Sequence, residues 1–225
     1  MKRMSNLISW RKPKGKKVME FVAVVFVLVL AVFTLPITTW AGDTFRFKGK
    51  SADAFFSSTD LSGCIVTDVF VFASDDASTS HDPPGPPSSF SGSVAFISIY
   101  QYDYCTWTQM LAADCFASLA DQDFQVIGRE LDSAELNATL GCYDYVSGSS
   151  FDVFVDLDWT AIGDPIRQSS NFHFRTPGFI VNERFSGTFR SAEVSGSVSD
   201  GVMNFTPELG FGNIISAKSG SVVID

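Results

Sequence analysis

The chain has only two histidines in 225 residues and no Cys-x-x-Cys pair, which excludes a His-rich metal centre and a thioredoxin-like redox site. It also lacks a Gly-x-Ser-x-Gly elbow and an EF-hand loop, so neither the α/β-hydrolase triad nor the commonest calcium motif has a place in it. After residue 35 there is no long apolar run, and basic residues become scarce. No stretch carries a reaction signature.

The first 41 residues do carry a signal. Seven Lys/Arg precede Val18, an apolar run extends from Phe21 to Leu35, and Pro36 leads to a small-residue exit at Thr39-Trp40-Ala41. This is the pattern of a secretory leader, a signal helix cut after Ala41. The alternative is an uncleaved N-terminal anchor, which Glu20, Pro36 and the shortness of the apolar run argue against. The chain is accordingly divided into a leader, 1–41, and one all-β extracellular domain, 42–225. No Cys follows the cut and no apolar tail ends the chain, so release is expected, with no membrane association once the leader is removed.

Cleavage would remove seven of the 16 basic groups and one of the 25 acidic groups, leaving nine and 24, a net charge near −15. Such a field repels phosphate backbones and anionic lipid, and so argues against nucleic-acid partners and membrane-surface roles.

Beyond residue 42 the hydropathy repeats with period two. Phe151, Val153, Val155, Leu157 and Trp159 alternate with Asp152, Phe154, Asp156 and Asp158, as in a half-buried strand. Many short runs of this kind, separated by Gly, Pro, Ser and Asp turns, predict an antiparallel sandwich or barrel. Thr108 to Leu119 reads equally well as helix or strand. Nineteen of the 22 Phe lie in this part and are expected to fill its core. Two segments echo one another, Phe45-Arg46-Phe47-Lys48 and Phe172-His173-Phe174-Arg175, although Phe is frequent enough here for chance to produce the echo.

Four cysteines in an exported chain point to disulfides. The midpoint of Cys64 and Cys105 falls in the breaker His81-Asp82-Pro83-Pro84-Gly85-Pro86-Pro87, and that of Cys115 and Cys142 falls beside Gly128. Hairpins about these points predict Cys64 with Cys105 and Cys115 with Cys142. In the first hairpin Phe70 would meet Ile99, and Phe72 would meet Ile97. In the second Ala117 would meet Leu140 and Leu119 would meet Ala138, at the cost of setting Asp121 against Leu136.

Four groups of residues are candidates for a site. Arg167, His173, Arg175, Arg184 and Arg190 form a possible anion patch, since four of the nine remaining basic groups fall within 24 residues. Tyr100, Tyr102 and Tyr104, with Trp107 or Trp159, would make a flat platform for sugar rings. Asp152, Asp156 and Asp158 share one strand face, where they would serve either as an acid/base pair or as calcium ligands, as would Asp75, Asp76 and Asp82. No cofactor is expected, with calcium the single candidate ion. The composite expectation is a secreted, disulfide-stabilised, non-enzymatic binding or cell-surface module for an extracellular ligand. An extracellular enzyme acting on carbohydrate or a small apolar molecule, and a structural or adhesive surface protein, are the alternatives.

Overall fold

The computed structural model describes residues 43–82, 85–176, 179–207 and 209–224, so the leader lies outside the described residues. Ten strands form one antiparallel sheet: β1 (Thr44–Thr59), β2 (Ile65–His81), β3 (Ser88–Asp103), β4 (Thr108–Leu119), β5 (Phe124–Ile127), β6 (Ser133–Asp144), β7 (Ser149–Ala161), β8 (Ile166–Thr176), β9 (Phe179–Ser199) and β10 (Leu209–Ile224). The ambiguous segment Thr108–Leu119 is a strand.

The order β10-β1-β2-β3-β4-β6-β7-β9 closes on itself, because β9 also pairs with β10. Eight strands therefore make a ring without a free edge, the arrangement of a barrel. Only part of each long strand belongs to it. β4 stops at Leu119, opposite Ser93, and β7 stops at Ala161, opposite Ala192. Beyond those rungs six strands continue as an open sheet, β8-β9-β10-β1-β2-β3, in which β8 pairs only with the first half of β9.

Inside the ring the alternation holds as the sequence predicts. Val153, Val155, Leu157 and Trp159 are buried, and they pack with Ala52, Ala54, Phe56, Val69, Val71, Ile97, Ile99, Leu136, Leu140 and Ile214. The buried Trp159 ring donates its Nε1–H to the carbonyl of Asp53 at 2.7 Å, tying β7 to β1. Phe is not the core material: among the described residues only Phe56, Phe124 and Phe205 are buried, while seven other Phe are exposed. An eight-stranded interior is just wide enough for its own side chains, and here Ala, Val, Ile and Leu fill it. Close packing also needs glycine. A Cβ on Gly212 would stand 1.8 Å from the Asp53 carbonyl oxygen.

Both expected disulfides form, Cys64–Cys105 and Cys115–Cys142. The registers around them differ from expectation. Across β2 and β3, Val69 meets Ile99 and Val71 meets Ile97, one residue away from the predicted rungs, so Phe70 and Phe72 face outward. A one-residue slip moves every side chain to the other face, and a segment with apolar residues at both parities cannot resist it. Across β4 and β6 the pairing ends at Phe116 and Gly141, so the Ala117–Leu140 and Leu119–Ala138 contacts are absent. The chain turns at 121–123, where Asp123 accepts the Ala120 N–H, and Phe124 of β5 takes the place opposite Leu136. The turn thereby spares Asp121 burial against Leu136.

Candidate functional site

The open sheet has two chemically distinct faces. Its inner face continues the ring's interior, on the same side as Ala52, Ala54 and Ala73, and its outer face continues the ring's exterior. The ladders place Arg46, Lys48 and Lys50 of β1, Arg184 and Arg190 of β9, Lys218 of β10 and Arg167, His173 and Arg175 of β8 on the inner face. Eight of the nine basic groups beyond residue 41 are therefore gathered on one side, with Arg129 the exception. Phe45, Phe47, Phe90, Phe172, Phe174, Phe185 and Phe189 take the outer side.

The inner face divides into two zones. Nearest the ring, β5 and the loop after it lie across the mouth and engage three cations. Lys50 Nζ donates to the Val126 carbonyl at 3.0 Å, and Arg190 binds the Glu130 carbonyl at 3.0 Å and Asp132 at 2.8 Å. Arg167 pairs with Glu130 at 2.7 Å. Leu131, a residue of this loop, is buried at a φ of 59° and completes the cover.

Further out, among the described residues, Arg46, Lys48, Arg175, Arg184 and Lys218 make no ion pair. Lys48 stands directly opposite Lys218, a like-charge rung that disfavours the folded sheet on its own. In the next rung Arg46 and Arg184 flank Gly220, which pairs with both. Two strand spacings separate the outer pair by about 10 Å. Gly220 leaves the floor between them open, since a Cβ there would meet only the Phe45 carbonyl oxygen, at 3.6 Å. Arg46, Lys48, Arg184 and Lys218 thus form a four-cation cradle around a side-chain-free floor.

The cradle overlaps the predicted anion patch without reproducing it. Arg184 belongs to it, with Arg175 and His173 at its outer rim, where His173 Nδ1 is hydrogen-bonded to Asn182 Oδ1. Arg167 and Arg190 instead hold the loop. Arg46, Lys48 and Lys218 lie outside the predicted patch, although the echo between Phe45–Lys48 and Phe172–Arg175 is the signal of the first two: both segments put Phe on the outer face and the cation or His on the inner one.

The other candidates are placed as follows. Tyr102 and Tyr104 meet edge to face at 4.8 Å, and Tyr104 lies 6.3 Å from Trp107, a cluster at the end of the ring remote from the cradle. Tyr100 is exposed on the ring's outer wall. Trp159 does not join them, because it is fully buried in the core. Asp152, Asp156 and Asp158 lie on the outer face of β7 and are not gathered into a three-ligand cluster among the described residues. Asp75 and Asp76 point to opposite faces, with Asp75 accepting from Ser93 Oγ at 3.2 Å and Asp76 set beside Gly49, where burial raises its pKa. The one group with metal-ligand spacing among the described residues is Asp103 with Cys64 and Cys105, and its sulfurs are joined in the disulfide. A shallow notch of about 480 Å³ opens on the outer wall where β4 and β6 part, lined by Phe116, Gly141, Tyr143, Asp114 and Asp152.

No protein-family model and no curated protein matches the chain. Among solved structures it is similar to a crystal structure from Nitrosomonas europaea named for AttH, at 9% identity and a TM-score of 0.24, over 80% of this chain and 51% of that one. The chain spans about half the length of that protein.

Proposed function

We propose that the protein is an exported, non-enzymatic binding module that captures an anionic ligand in the cradle formed by Arg46, Lys48, Arg184 and Lys218. The observation that carries this reading is the Lys48–Lys218 rung. Two lysines directly opposed, with Cβ atoms about 5 Å apart, repel, and an anion seated between their ammonium groups turns that cost into binding. Export agrees with the leader pattern and with two disulfides, which persist in oxidising compartments.

The test is Lys48→Glu. This substitution sets a carboxylate opposite Lys218, so the fold becomes at least as stable while the cradle loses two units of positive charge. With inorganic polyphosphate as the probe, binding of the native protein should weaken steeply with salt, and the variant should bind at least tenfold more weakly with an unchanged or higher Tm. Equal binding by the two proteins defeats the reading.

A further inference from the structure

Three features at the far end of the open sheet bear on what the anion is. First, the end beyond the cradle is apolar: Phe179, Ile180 and Val181 begin β9, Val222 and Val223 lie near the end of β10, and Phe172 and Phe174 are exposed along the edge strand β8. Phe174 and Phe179 pack edge to face at 6.5 Å across the β8–β9 hairpin. Second, depth is graded. Val222 lies two residues beyond Gly220, and Phe179 five beyond Arg184, so the four cradle cations stand about 7–17 Å behind the apolar end, while Arg175 lies within it, on the Ile180 rung. This is the layering of a bilayer interface, with acyl chains beneath phosphates.

Third, charge is polarised along the molecule. The cations are collected on the open sheet's inner face, where Asp75 is the one acidic strand residue facing the same way among those described, while most of the 24 acidic groups lie elsewhere. At the β1–β2 corner Asp43 and Asp82 adjoin, and Asp82 holds its proton more tightly because of its hydrogen bond with Asp43. Glu183 faces the outer side. An anionic surface would attract the sheet end and repel the ring, turning the domain end-on.

We infer that the open sheet docks end-on onto an anionic lipid surface, with a lipid phosphate in the cradle and Phe172, Phe174 and Phe179 entering the interface. The inference rests on the cradle reading and names its ligand class. It also reverses locally what net charge implies, since a domain near −15 presents a cationic end.

The experiment uses the protein recovered after export with its own leader, in flotation with vesicles of phosphatidylcholine alone or mixed with phosphatidylglycerol. Inorganic polyphosphate serves as the soluble anion. The expected result is binding to the mixed vesicles only, weakened about tenfold by Lys48→Glu. Phe172→Ser with Phe174→Ser should abolish vesicle binding while polyphosphate binding persists. Binding to polyphosphate without binding to mixed vesicles, or vesicle binding indifferent to the Phe pair, overturns the lipid assignment and leaves the cradle standing. Failure to bind either probe removes both.

Discussion

Strand β2 runs unbroken through both halves of the molecule, yet its halves behave differently. From Thr67 to Ala73 alternate residues are buried against the ring's core, whereas from Asp75 to His81 none is buried. The hydrogen bonding is continuous across the boundary, because β1 pairs with β2 from Thr44 to Thr59 and β3 pairs with it from Ser88 to Asp103. A ladder by itself therefore does not make a core. Closure does, by placing a second wall opposite the first. Where the second wall ends, at Leu119 and Ala161, the inner face no longer needs apolar residues and carries cations instead.

The sharpest contrast is between two aromatic residues, one in each half. Trp159→Ala should cost about 4–5 kcal/mol, since it empties the ring's largest buried site and leaves the Asp53 carbonyl without its donor. Denaturant unfolding measures this, and a loss below about 2 kcal/mol would mean that the ring is not the stable half.

An intermediate effect is expected at Asp53 on the ring's outer wall. Burial raises its pKa from 3.8 to about 6, despite a hydrogen bond from Asn213 Nδ2 at 3.1 Å. The folded state thus binds a proton that the unfolded chain releases above about pH 4. The associated stability is full in acid and is lost as pH rises through about 6. Asp53→Asn should therefore stabilise the protein at pH 8 by on the order of 2 kcal/mol and flatten its Tm between about pH 5 and 8. An unaltered pH profile would show that Asp53 does not control it.

The smallest effect belongs to the open sheet. Phe172→Ala, on the exposed edge strand, should change stability by less than about 0.5 kcal/mol. A loss comparable to that of Trp159→Ala would make the two halves one energetic unit and erase the comparison.

Much of the architecture is legible in the order of the residues. Period-two alternation at Phe151–Trp159 identifies strands, and the Pro/Gly breaker at 81–87 pairs Cys64 with Cys105. Even the discomfort of Asp121 opposite Leu136 is informative, because the chain turns where that contact would fall. The candidate site is half visible. Arg175 and Arg184 are close in sequence, and clustering along the chain finds them. Arg46 and Lys48 lie far from them in sequence, so their place beside Arg184 depends on β10 running between β1 and β9.

By itself, then, the chain determined that its strands would be antiparallel and which cysteines would join. These follow from composition and local period, which need no partner to be read. The tertiary structure alone decided which parity of β2 is buried, that the ring closes, and that eight of nine cations share a face. The physical reason is that a strand's two faces are equivalent until a neighbour fixes its register. One residue of slip exchanges them, and only the assembled ladder says which charges stand together.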